Sequence, residues 1–178
     1  LTSQQPLWRA LGNSFFYAIL TTVICLLICS IAGYGFEVYH DKGKDRLFSI
    51  LLLAMMVPQV ATMVPLFKMF SKAKLLNTSI GFILPIISTP FMIMMFRQNA
   101  RAFPVDIIEA ARIDGANQFQ IYWKIFMPIM KPSLILVGVL NMLTVWNDYL
   151  GPLIFLQDRS KYTLALGLAS FKGVHSTQ

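Results

Sequence analysis

The sequence predicts an all-α polytopic membrane protein, and three observations predict it. Of 178 residues, 56% are hydrophobic and 13% are charged, about half the charged share of a soluble chain. Residues 10–36, 47–67 and 75–96 contain no Asp, Glu, Lys, Arg or His, and 132–157 contains Asp148 alone. Each run reaches the roughly 20 residues that a helix needs to cross hydrocarbon. The remaining charges gather between the runs, where lipid headgroups favour Lys and Arg. One such run fits a buried helix of a soluble fold; four in one short chain do not.

The first span is expected over about 12–36. Asn13 and Ser14 are placed to cap its start, and Gly33 and Gly35 to mark its end. It is too long for a signal peptide and lacks the basic start of one. Cys25 and Cys29 lie four apart on one face of it and read as small packing residues, not as a metal or disulfide pair. A short charged loop, 37–46, turns at Gly43 and carries His40, a solvated loop residue. The second span is expected over 47–67, with Pro58 and Pro65 inside. Each proline lacks an N–H and disturbs the preceding turn, so this span packs against neighbours that satisfy the freed carbonyls. Residues 68–79 read as a loop or short interfacial helix. The third span covers 80–96 with Pro85 and Pro90, a polar insert covers 97–131, and the fourth span covers 133–156. The tail is polar at first and ends without a fifth span.

Several function classes find no support. The net charge of +7 comes from flanking loops, with no basic patch interleaved with aromatics to hold nucleic acid. No G-x-x-x-x-G-K-[ST] phosphate loop is present. His40 and His175 have no ligand set at metal spacing, and no nucleophile–base pair is legible. Four spans put both termini on one side. Eight Lys and Arg then fall on one face of the membrane and seven on the other, so charge does not settle orientation.

The insert is the informative part. Pro104 suits a first helical turn, Asp106 and Glu109 follow where negative charge favours the helix dipole, and Gly115 suits a stop. Glu109 and Arg112, three apart, are spaced to pair weakly. A second helix is expected over 117–127, with Phe119, Tyr122, Trp123 and Phe126 at helical spacing. Ala110 and Ala111 would let another surface approach the helix backbone closely, with Glu109 reaching a donor on it. An ordinary solvated interfacial helix has the same composition, and chemistry alone leaves both readings open.

Glu109-Ala110-Ala111, then Gly115, then Ile125, Met127 and Pro128 resembles the EAA loop of binding-protein-dependent ABC importer permeases, whose pattern is EAA, three residues, G, nine residues, I-x-L-P. Met127 replaces the Leu, a swap of similar volume. "DGA" at 114–116 is typical of the same family. "LGNSFFYA" at 11–18, "VWNDYLGPLIFL" at 145–156 and "YTLALGL" at 162–168 resemble its carbohydrate-uptake, maltose-type subfamily, and the smaller permease subunit in particular.

That resemblance implies a type I ABC importer transmembrane domain over 1–178. It implies six spans in the full chain, with one more before Leu1 and one after Gln178. It makes the insert a cytoplasmic coupling helix and turns the termini outward, in a bacterial-type cytoplasmic (inner) membrane. The implied coupling residues are Glu109, Ala110, Ala111, Arg112, Asp114, Gly115, Ile125 and Pro128. The implied partners are a second permease subunit, two ATPase subunits and an extracytoplasmic solute-binding protein. ATP and Mg would belong to the ATPase, with no cofactor on this chain and no catalysis by it. Another solute, such as an amino acid or phosphate ester, would use the same loop; a helical channel or scaffold would need no ATPase.

Asn147 and Asp148 are the candidates for the solute pathway. A carboxylate deep in a bilayer costs about 2.5–3.5 kcal/mol on insertion scales, so Asp148 should face water, a polar partner or the bundle interior. The plainer reading is a structural hydrogen bond to a neighbouring span or to a broken backbone. Gln59, Thr62 and Asn141 also lie in spans and are placed to bond between helices. Trp8, Trp146 and Tyr149 fit interfacial anchors or sugar platforms alike.

Overall fold

The computed structural model describes residues 7–39 and 41–175, and these are helical, with no strand among them. His40 lies outside the described residues. Among the described residues one helix, α1 (Leu7–Val38), is long and apolar enough to cross a membrane alone, and there are up to four crossings if each bent helix pair counts as one. Helix α1 has 32 residues, about 48 Å at 1.5 Å per residue, against a hydrocarbon core of about 30 Å. Two of its polar side chains bond back to its own turns: Thr21 donates to the carbonyl of Tyr17 at 2.5 Å and Ser30 to that of Leu27 at 3.2 Å. Cys25 and Cys29 are buried and free, in keeping with a packing role.

Two local expectations for α1 are corrected. Asn13 and Ser14 do not cap it, because the helix has already begun at Leu7. Asn13 Nδ2 instead donates to the carbonyls of Ser160 at 2.9 Å and Tyr162 at 3.1 Å, and Ser14 Oγ accepts the Leu164 N–H at 2.7 Å. Gly33 does not end it either. A Cβ at Gly33 would lie 2.5 Å from Phe96 Cβ and 3.0 Å from the Arg97 nitrogen, so this glycine permits a close helix approach.

The expected loop at 37–46 is short. Helix α1 runs to Val38, and α2 (Lys42–Ala54) opens where the Asp41 carbonyl accepts the N–H groups of Lys44 and Asp45 at 3.0 and 3.1 Å. The second span is broken before Pro58, and α3 (Gln59–Lys72) restarts after it with Pro65 held inside. The third is divided into α4 (Ser79–Ile83), a 3-10 turn at Leu84–Ile86, and α5 (Pro90–Ala100). After α6 (Val105–Ile113), a helical run spans Gln118–Ile129. Helix α9 (Lys131–Asn147) follows it at 77°; within the run, α7 (Gln118–Gln120) and α8 (Met127–Ile129) flank a π-helical segment, Ile121–Phe126. The fourth span is therefore not one helix: α9 stops at Asn147 and α10 (Leu150–Phe155) begins anew. Helix α11 (Leu164–His175) is the last of the described elements.

The chain divides into two compact units. The first takes its described residues from Leu1–Ile24, Pro58–Ile87 and Leu140–Gln178. Its core is Tyr17, Phe70, Phe82, Ile83, Phe155 and Leu156, with Tyr17 edge-on to Phe82 at 4.9 Å. Asn141 Nδ2 donates to Thr22 Oγ1 at 3.1 Å, an interhelical bond of the kind expected. A tight turn at 73–78 places Lys74 and Asn77 at positive φ, 56° and 57°. Asn77 holds that turn by donating its N–H to Phe155 at 2.8 Å and accepting from Asp158 at 3.0 Å.

The second unit comprises Cys25–Val57 and Ser88–Val139. Thr89 caps α5 by accepting the Met92 N–H at 3.3 Å, with Pro90 in the first turn where no N–H is needed. Its interior is aromatic: Tyr34, Phe96, Phe103, Tyr122 and Phe126 are all buried. Tyr34 meets Phe126 edge-on at 4.7 Å, and the Tyr122 hydroxyl lies 2.7 Å from that of Ser30.

Candidate functional site

The polar insert forms the bracket its residues predict. Helix α6 begins after Pro104 and carries Asp106 in its first turn and Arg112 in its last, both favourable to the helix dipole. It ends in a complete Schellman motif. Gly115, at φ +82°, donates its N–H to Arg112 at 3.1 Å, and Ala116 donates to Ala111 at 2.9 Å. The next helix starts in a capping box. Asn117 Oδ1 accepts the Gln120 N–H and Gln120 Oε1 accepts the Asn117 N–H, both at 2.9 Å. Four backbone donors at the turn are thus satisfied within a few residues, which makes it stiff without outside help.

The two alanines have different fates. Ile108 and Ala111 turn inward and are buried, whereas Glu109, Ala110, Arg112, Asp114 and Gly115 are exposed. Close approach by another surface is therefore open at Ala110 and closed at Ala111. The described residues hold no ion pair between Glu109 and Arg112; the Arg112 guanidinium lies 6.0 Å from the Tyr39 ring centroid. Both charges of the motif are thus uncommitted to each other.

The aromatic stripe is split as well. Tyr122 and Phe126 are buried, while Phe119 is 72% exposed and Trp123 is 40% exposed. Ile113 is 87% exposed, in the last turn of α6. Sequence reasoning passed over Ile113; the available signal was an isoleucine directly before a helix stop, with nothing to say which way it faces. A shallow groove of about 420 Å³ runs along the turn, lined by Asp114, Gly115, Ala116, Gln120, Lys124 and Ile125. Five of the eight motif residues thus lie exposed on α6 or its turn, Ile125 lines the groove, and Pro128 is exposed in the following helix.

The second candidate lies in the first unit. Asn147 turns back on its own helix, donating to the Leu143 carbonyl at 2.8 Å. Asp148 Oδ1 accepts the Gly151 N–H at 3.1 Å, which starts α10. The structural hydrogen bond foreseen for this carboxylate is therefore present. Asp148 also lines a cleft of about 120 Å³ with Gln59, Thr62, Phe82 and Phe155 among its walls. Thr62 donates to the Gln59 carbonyl at 2.8 Å within α3. Trp146 packs edge-on to Phe15 at 4.9 Å, while Trp8 is 80% exposed.

Among the described residues no group of His, Cys, Asp and Glu is placed to hold a metal.

Comparison with known proteins bears on both regions. The family described as "Binding-protein-dependent transport system inner membrane component" matches residues 27–171. The lactose transport system permease protein LacG of Rhizobium radiobacter is 39% identical, over 93% of this chain and 61% of its own length. The arabinooligosaccharides transport system permease protein AraQ of Bacillus subtilis (strain 168) is 40% identical, over 89% of this chain and 56% of its own. The chain thus spans about three-fifths of the length of these curated relatives. A solved bacterial ABC transporter, involved in import of the acidic polysaccharide alginate, superposes with a TM-score of 0.87 at 25% identity, covering 99% of this chain and 66% of that one.

Proposed function

This chain belongs to the binding-protein-dependent transport system inner membrane components, a multi-pass membrane family, and from that membership we propose that it is the permease subunit of an ATP-driven importer for a sugar or oligosaccharide. It would form half of the translocation pathway with a second permease subunit. Two separate ATPase subunits would carry ATP and Mg, and an extracytoplasmic binding protein would deliver the solute.

The observation that carries this reading is the rigid, exposed bracket at 104–120. A partner can push on α6 only if the helix does not fray, and the Schellman turn and capping box supply that stiffness. Ala110 offers close approach, Glu109 and Arg112 offer free charges, and Ile113 with Phe119 offers apolar surface to bury. Closure of the ATPase pair would displace α6, and the chain on either side of it would transmit that motion to the spans. Sugar as the solute is supported by the names of the relatives, lactose and arabinooligosaccharide permeases. The cleft at Asp148, about 120 Å³, is too small to enclose such a solute, but the Asp148 carboxylate and Gln59 amide at its wall could pair with hydroxyls of a solute passing along its edge. Asn147, bonded to its own helix and exposed, would line the same route.

The test is the assembled importer in proteoliposomes, with lactose, arabinotriose and raffinose as solute probes. Glu109→Ala and Gly115→Ala should each lower solute-stimulated ATP turnover about ten-fold or more while membrane insertion is unchanged. Gly115→Ala carries an added backbone cost of about 1–2 kcal/mol from positive φ. Full coupling in both variants would sink the reading. Uptake of an amino acid or phosphate ester, with none of the sugars transported, would keep the machinery and replace the solute.

A further inference from the structure

Arg97 is the one charged side chain that is buried among the described residues. Its guanidinium bridges two carboxylates on different elements. Nε donates to Glu37 Oε2 at 3.2 Å, in the last turn of α1, and Nη2 donates to Asp45 Oδ1 at 3.2 Å, in the first turn of α2. Its Cζ lies 4.0 Å from the centroid of the Phe48 ring. Arg101 Nε stands 3.7 Å from the same Glu37 oxygen. One planar fork therefore ties α1, α2 and α5 together, which a lysine's single ammonium cannot reproduce.

The place of this fork matters. Arg97 and Arg101 occupy the end of α5, and only Ala102, Phe103 and Pro104 separate Arg101 from α6. That connector has no slack. Arg101 bonds back to Arg97 at 3.2 Å, Ala102 to Asn99 at 3.2 Å and Phe103 to Ala100 at 3.0 Å. Phe103 is buried, 5.6 Å from Phe126. The close approach at Gly33 independently holds α1 against α5 at Phe96 and Arg97.

We propose that Arg97 is a positioning residue for the coupling helix. By locking the end of α5 to α1 and α2, it gives α6 a fixed anchor, so that force applied to α6 moves helices instead of stretching the connector. This role rests on the reading of α6 as the element that meets the ATPase.

The experiment uses the complete importer in proteoliposomes, with the three sugars above as probes. The variants are Arg97→Lys, Asp45→Asn and Arg97→Gln. Asp45 is largely exposed, so its variant tests the fork without burying an unpaired charge. Sugar uptake per ATP should fall about five-fold or more in Arg97→Gln, and less in Arg97→Lys and Asp45→Asn, with basal ATP turnover and assembly of the two milder variants unchanged. Hydrogen exchange of the amides in 105–113 should be about five-fold faster in all three. Wild-type exchange at these amides and wild-type uptake per ATP in assembled Arg97→Lys and Asp45→Asn complexes would overturn the role. A wild-type complex that takes up none of the sugars would sink the sugar reading alone, and the exchange rates would still decide for or against Arg97.

Discussion

The bracket at 104–120 and the Arg97 cluster both bring charge into an apolar chain, yet they handle it in opposite ways. Glu109, Arg112 and Asp114 present their charges on exposed side chains without ion pairs between them. Arg97 is buried and spends its donors on Glu37 and Asp45. The first arrangement leaves the chain's own stability almost indifferent to the charges, so their value depends on something outside. The second makes the chain its own partner, and removing Arg97 leaves Glu37 with only its longer pair to Arg101. A charged residue in a membrane protein thus declares little until its counter-charge is known.

The sharpest way to break this contrast is Arg97→Met. It leaves half-buried Glu37 with only the longer, exposed pair to Arg101 at 3.7 Å, and the expected loss is about 3 kcal/mol. Thermal unfolding in detergent should record it. Adding Glu37→Gln to the same chain should recover most of the loss, because no under-compensated carboxylate remains; failure to recover would mean that packing on Phe48, not charge, holds the site. Glu109→Ala, by contrast, should move stability by less than about 0.5 kcal/mol, whatever it does to coupling.

Gly33→Ala should follow in size. Its Cβ would press on Phe96 and on the backbone of Arg97, and overpacking of this kind costs about 1–3 kcal/mol. The same melting assay reads it, and Gly35→Ala, where a Cβ meets nothing within 4 Å, is the control.

The smallest effect belongs to Asp158, in the turn before α11. The Ser160 N–H at 2.8 Å holds this carboxyl below the usual carboxylate range. A carboxyl depressed on folding adds stability above its unfolded pKa, and that gain is lost as pH falls through the lower folded value. Protection factors of the amides at 158–162, with the intrinsic pH dependence of exchange divided out, should therefore be flat from pH 8 to pH 5 and fall only below about pH 4. An onset near neutrality would mean that another group governs the turn.

Much of the insert was legible in advance because its determinants are local. Pro104, Gly115 and Asn117 act within one or two turns of themselves, so a linear reading located the helix, its stop and its successor. Helical class and membrane placement were equally legible, since hydrocarbon length and charge exclusion are properties of runs. Helix ends inside the apolar runs were not. Asn13 looked like a cap but bonds to Ser160 and Tyr162, and Gly33 looked like a stop but spaces α1 from α5.

The sequence by itself determined that the chain is helical, that it is built for lipid, and that a stiff polar bracket interrupts it. Only the tertiary structure decided that Ala111 faces inward while Ala110 does not, that Asp148 starts a new helix beside Gln59 and Thr62, and that Arg97 is buried on two acids. The reason is distance along the chain: caps and runs are set by neighbours a few residues away, whereas Arg97 meets partners 60 and 52 positions earlier. Which of the exposed charges finds a mate is decided by packing that no local rule encodes.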